Sequence, residues 1–149
     1  MPTDSAPWRH HLRTTPDEIR ALLESSHRVA VLGIRPSGDK PAFYVPEYTQ
    51  RAGYEVIPVP VYWPEVTEIL GRPVYRSLAA VPPPIDIVNV FRRPADIPPH
   101  VDDMIAARPR AVWFQLGITN DEAAERLARA GIDVVQDRCL LVELRRIGR

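Results

Sequence analysis

Five short apolar runs recur along the chain, at residues 28–34, 54–59, 85–91, 111–116 and 132–135, and stretches with helix-start signals separate most of them. Short strands that alternate with helices must be joined by crossovers, which produces a mostly parallel sheet covered on both faces. Val29-Ala30-Val31-Leu32 and Ile87-Val88-Asn89-Val90-Phe91 are almost continuously apolar, as strands buried on both sides must be. The expected fold is therefore α/β: a three-layer Rossmann-like domain with a five-stranded, mostly parallel sheet. In that architecture ligands bind beyond the carboxyl ends of the strands, where the winding reverses.

The segments between the runs carry specific punctuation. Thr15-Pro16-Asp17-Glu18 combines a capping threonine, proline at the first helical position and glutamate three residues after the cap, predicting a helix to about Ser25. Thr119-Asn120-Asp121-Glu122 repeats that logic ahead of residues 123–130, with Gly131 as the stop. Residues 41–52, closed by Gly53, read as the helix after the first strand, with Pro46 expected to disturb its second turn or delay its start. Pro98-Pro99-His100 opens a further helix through Ala107.

A chain of 149 residues can enclose one core, so residues 15–149 are expected to form one domain behind a flexible polar leader, residues 1–14. Nineteen basic and nineteen acidic residues cancel, leaving no whole-molecule field to attract nucleic acid or an anionic membrane. No apolar run approaches the roughly 20 residues that a bilayer crossing needs. Cys139 is the single cysteine, and Met1-Pro2-Thr3-Asp4-Ser5 has no basic or apolar signal region, so a cytoplasmic location is expected.

Chemistry is expected at the strand ends. The first run stops at Gly33 and passes into Ile34-Arg35-Pro36-Ser37-Gly38-Asp39-Lys40-Pro41-Ala42, a loop of small residues before a helix, whose N–H groups favour phosphate. Arg35 and Lys40 add positive charge, which points to a nucleotide or a nucleotide-containing cofactor. Gly33 and Gly38 do not complete a G-x-G-x-x-G. The second run ends in Val59-Pro60-Val61 without an acid for ribose hydroxyls, which argues against a nicotinamide dinucleotide. Phe91-Arg92-Arg93-Pro94, Gln115-Leu116-Gly117-Ile118 and Gln136-Asp137-Arg138-Cys139 close the later strands around the same crevice. Tyr62 and Trp63 either cover that crevice or meet another subunit, and Trp113 and Phe114 are expected on opposite faces of the sheet. Cys139 is either a small packed hydrophobe or a thiol open to redox exchange. His10, His11, His27 and His100 show no metal-ligand spacing, so no metal is expected.

Val29 to Gly33, Lys40-Pro41-Ala42, Ala52-Gly53-Tyr54-Glu55-Val56-Ile57-Pro58-Val59, Ile69-Leu70-Gly71-Arg72, Asp86 to Pro94, Val112-Trp113-Phe114-Gln115-Leu116-Gly117 and Asp137-Arg138-Cys139-Leu140 follow one another in unbroken order. In that order the chain resembles the small stand-alone CoA-binding proteins, similar in turn to the N-terminal domain of the succinyl-CoA synthetase α subunit. The resemblance implies coenzyme A or a short acyl-CoA as ligand. Gly33, Arg35, Ser37 and Lys40 would hold the diphosphate, with Ile34, Pro36 and Pro41 in the same loop and Val59 and Pro60 ending the neighbouring strand. Arg92 and Arg93, after Phe91, would take the remaining phosphate, while Gln115 and Gly117 line the carrier chain. Ile34-Arg35, Ala42 and Pro60-Val61 depart from the family's usual small residues, serine and Asn-Pro. The ligase relatives add a phosphorylated histidine from another domain and a nucleotide-grasping subunit, so the expectation is CoA binding with no ligase activity and no catalytic residue. The alternatives are a CoA-linked thiol or disulfide enzyme using Cys139, and a regulatory module that has lost its ligand. The expected partner is the small molecule, with no nucleic acid or membrane, and assembly with itself or a partner subunit stays open.

Overall fold

The computed structural model describes residues 6–149. Along the chain come α1 (Pro16–Glu24), β1 (Arg28–Leu32), α2 (Pro41–Arg51), β2 (Glu55–Val59), β3 (Glu68–Ile69), β4 (Arg72–Pro73), β5 (Ile87–Val90), α3 (Val101–Ala107), β6 (Ala111–Phe114), α4 (Asp121–Arg129), β7 (Asp133–Val135) and α5 (Leu140–Arg146). Five strands form one sheet in the order β2-β1-β5-β6-β7, and every neighbouring pair is parallel. Leu32 lies opposite Val59 on one side and Val90 on the other, and Val90 opposite Phe114, so four strands end level.

Side chains that alternate along each strand divide the core into two layers. Val29, Val31, Ile87 and Trp113 pack against α1, α2 and α5 through Ile19, Leu23, Val45, Leu140 and Leu144. Ala30, Leu32, Val88 and Phe114 pack against α3 and α4 through Val101, Met104, Ala124 and Leu127. Trp113 and Phe114 therefore point to opposite faces, and the fold is the three-layer Rossmann-like α/β architecture.

At α1 the capping box is complete: Glu18 N–H donates to Thr15 Oγ1 (3.2 Å), and Thr15 N–H donates back to Glu18 Oε1 (3.0 Å). The backbone N–H groups of Thr15 and then Thr14 hold the Glu18 carboxyl down to about 2. At α4 the cap is Asn120, one residue later than Thr119 of its signal, with Oδ1 accepting from Ala123 N–H (3.0 Å).

Three features differ from the sequence expectation. Helix α2 runs unbroken through Pro46. The carbonyl that Pro46 leaves without a helical donor is that of Ala42, and it accepts instead from Arg35 N–H at 3.1 Å. Residues 6–14, expected as a flexible leader, are docked. Pro7–His11 form a 3-10 turn, Leu12 bridges Val134 in parallel, and His11 (2.7 Å) and Arg13 (3.2 Å) both pair with Asp133. Residues 1–5 of that leader lie outside the described residues. The third is the β3–β4 hairpin, whose turn places Leu70 at φ +55 and Gly71 at φ +75. That is the type I′ geometry usually marked by Asn-Gly.

Gly33 has φ +86, and a Cβ there would stand 2.3 Å from the Phe91 carbonyl oxygen. Backbone meets backbone at the exit of β1 and β5.

Thr15→Ala is expected to cost about 1 kcal/mol of unfolding free energy in urea, the usual worth of an N-cap. Because the Glu18 carboxyl is depressed in the folded chain, its contribution is whole above the ordinary value of 4.5 and is lost as pH falls toward 2. Glu18→Gln should flatten the acid limb of stability against pH in that window. Gly33→Ala should cost about 2–4 kcal/mol through strain and overlap together, read from the same urea titration.

Candidate functional site

In this strand order the chain leaves β1 for one edge of the sheet and β5 for the other, so the reversal of winding falls between β1 and β5. A cleft of about 250 Å³ opens there. Gly33, Ile34 and Arg35 line it from the loop after β1, Phe91, Arg92 and Arg93 from the loop after β5, and Val61, Tyr62 and Trp63 from the segment after β2. Ala42 and Asp96 complete the wall.

Each arginine is held differently. The Arg35 guanidinium lies over the Trp63 ring, 5.3 Å from its centroid, and its Nε is buried without a hydrogen-bond partner. An aromatic face attracts the cation but leaves its in-plane N–H donors unanswered. Arg92 lies 5.6 Å from the Tyr62 ring centroid, donates to the Tyr62 hydroxyl at 3.4 Å, and donates through Nε to His100 Nε2 at 3.3 Å. That last bond needs an unprotonated imidazole nitrogen. Burial and then the Arg92 charge lower the His100 pKa, which favours the neutral ring. Arg93 reaches into solvent and pairs through Nε with Asp96 Oδ2 at 2.7 Å, a contact that lowers the Asp96 pKa. Three guanidinium groups thus face one carboxylate, and the cleft is electropositive.

Gly33, Ile34, Arg35, Phe91, Arg92 and Arg93 are the sequence-derived site residues that the cleft brings together. Pro36, Ser37 and Lys40 continue the loop outside it, Lys40 serving as N-cap of α2 and Pro41 as its first residue. The backbone N–H groups of Ser37, Gly38, Asp39 and Lys40 donate to no group among the described residues. Val59 and Pro60 are buried behind the cleft, with Val59 O accepting from Gly33 N–H at 2.9 Å. Gln115 and Gly117 do not line it. Gln115 is buried, its Oε1 accepting from Asn89 Nδ2 (3.3 Å) and Leu140 N–H (3.3 Å). Gly117 N–H donates to Asp137 Oδ1 at 2.7 Å. Cys139 caps α5, half-buried against the layer of α1, α2 and α5, and is not in the cleft wall. Tyr62 and Trp63 both line the crevice, with the Tyr62 side chain exposed at its rim. Asp96, three residues after Arg93 in a proline-rich turn, had a local signal that sequence reading missed, and His100, read from the sequence only as opening a helix away from the strand ends, instead reaches Arg92 through two successive 3-10 turns.

A larger cavity of about 400 Å³ lies at the amino ends of β6 and β7, where Arg13 is already paired with Glu18 (3.1 Å) and Asp133 (3.2 Å). Among the described residues no group of three His, Cys, Asp or Glu side chains is placed to hold a metal ion, and no helix is long and apolar enough to cross a membrane.

A family model described as CoA binding domain matches residues 27–145. The chain is 38% identical over 125 residues to the uncharacterized protein YneT of Bacillus subtilis, across 84% of this chain and 90% of that one. The solved structure of cell-free ID.343 from Thermus thermophilus is similar with a TM-score of 0.83 at 40% identity, covering 90% of this chain and 99% of the other. The dinucleotide-forming acetyl-coenzyme A synthetase 1 of Ca. Korarchaeum cryptofilum shares the fold at a TM-score of 0.65 and 18% identity, over 80% of this chain and 27% of that protein. The matched span runs from before β1 into α5 and includes every residue of the cleft wall, so the chain belongs to the CoA binding domain family.

Proposed function

We propose that the protein binds coenzyme A or a short acyl-CoA at the carboxyl edge of the sheet, with the phosphates in the cleft between β1 and β5. The observation that carries this reading is Arg35, a cation whose buried Nε donor has no partner and whose ring contact leaves the fork free for an anion. Gly33 supports it, since its lack of a Cβ lets the loop backbone lie against Phe91, and the exposed part of the same loop carries the unpartnered N–H groups of residues 37–40. Coenzyme A carries about four negative charges on its three phosphates, which matches an electropositive cleft beside a helix opening. Its diphosphate would lie on the Arg35 loop, and its remaining phosphate would compete with Asp96 for Arg93. The rest of the ligand extends along the open sheet edge.

The cleft wall offers guanidinium, aromatic and aliphatic groups and one carboxylate engaged by Arg93. That set suits binding rather than group transfer, and we assign no ligase activity to it. Cys139, outside the wall, takes no part, and a free thiol of this kind suits the reducing cytoplasm.

Thermal shift with CoA, acetyl-CoA, NAD and ATP tests the reading, because a ligand of the native state raises the melting temperature with its affinity. CoA should raise it most; no shift with CoA or acetyl-CoA defeats the proposal. By calorimetry, Arg35→Ala should weaken CoA binding about 10- to 100-fold, the worth of one charge-assisted bond in a shielded site. Lys40→Ala, at an exposed and salt-screened position, should weaken it about two- to fivefold, with the difference shrinking as salt is raised.

A further inference from the structure

The aromatic faces of the cleft come from a stretch that the backbone does not favour. Trp63 has φ +66, a left-handed conformation that a bulky side chain rarely adopts and that persists only where its surroundings hold it. The group that gathers this stretch is Arg76. Its Nη1 donates to the Tyr62 carbonyl at 3.3 Å, and its Nη2 donates to the carbonyls of Trp63 (3.0 Å), Pro64 (3.2 Å) and Val66. Val66 N–H closes the turn onto Trp63 O at 3.0 Å. Arg76 forms no ion pair with a carboxylate among the described residues, and these guanidinium bonds all go to main chain. Its neighbour Tyr75 donates N–H to Pro58 O at 2.9 Å, which ties this position to the edge of β2. The guanidinium is thereby referenced to the sheet on one side and to the 62–66 turn on the other. That turn sets Trp63 against Arg35 and Tyr62 against Arg92.

We propose that Arg76 is the positioning residue of the cleft: by clasping the carbonyls of residues 62–66 it sets the two aromatic faces on which Arg35 and Arg92 present their charge. The consequence for CoA rests on the function proposed above; the placement of Arg35 is separable from it. A planar fork with several fixed donors can span these carbonyls, whereas a lysine ammonium is a compact point charge on a flexible stem.

The test is NMR of the ligand-free protein together with calorimetry. Beneath the Trp63 ring, the Arg35 Nε–H and Cδ protons should resonate upfield of those of exposed arginines, with Trp63→Ala identifying the displaced signals. Arg76→Ala and Arg76→Lys should both abolish that displacement while far-UV circular dichroism still reports the native fold. Should the alanine variant fail to fold, the lysine variant decides the matter. Arg76→Ala should also weaken CoA binding about tenfold in the otherwise natural chain, yet add little in a Tyr62→Ala/Trp63→Ala background. Arg35 signals that stay displaced in a folded Arg76 variant overturn the proposal, as does a loss of affinity equally large in the double-alanine background. A natural chain that binds no CoA refutes the ligand assignment alone, and the Arg35 signals still decide the role of Arg76.

Discussion

The contact between Gly33 and the Phe91 carbonyl is the constraint on which the rest of the molecule turns. Two parallel strands that exit side by side normally keep their following loops apart by the width of a side chain. Here one side chain is missing, and the loops touch main chain to main chain. The loop after β1 is then anchored twice more, by Gly33 N–H to Val59 O and by Arg35 N–H to Ala42 O. Three strands thus meet at a single glycine, and two residues on, Arg35 ties the loop to α2.

Electrostatics is arranged on this frame by withholding partners. Arg13, Arg28 and Arg126 are paired with carboxylates elsewhere on the molecule. Arg35, by contrast, rests on the Trp63 ring, which attracts the cation without using its hydrogen-bond donors, and Arg92 rests on Tyr62 with its bonds going to the neutral Tyr62 hydroxyl and His100 ring rather than to an acid. Arg93 does have an acid, Asp96, but the pair stands at the rim where solvent screens it. The result is charge that is held in place and still has donors to give.

How much of this was legible in the sequence follows from the range of the interactions. Local signals translated directly: the Thr15 box, the glycine stop at Gly131 and the five β-branched runs all act within a few residues, where propensity and capping decide. The strand-end rule located Arg35, Arg92 and Arg93 because strand order alone brings their loops together. It failed for Gln115, whose place at the same strand level says nothing of the turn of its amide toward Asn89 and Leu140. Pairing across 122 residues between His11 and Asp133, which docks the supposed leader, had no local signature at all. Nor did the clasp of Arg76 on residues 62–66, since a lone arginine after a short hairpin reads as solvated charge.

Pro46 shows how far a local defect can reach. A helix ordinarily satisfies its own carbonyls, and a loop seeking an acceptor there would have to compete with the helix. Because Pro46 has no N–H, the Ala42 oxygen is vacated for good, and the main chain of Arg35 docks into the vacancy. The cleft loop is thereby harnessed to the first turn of α2. The main chain of Arg35 is registered to the helix that packs across the sheet, through an acceptor that an unbroken helix without proline would have kept for itself.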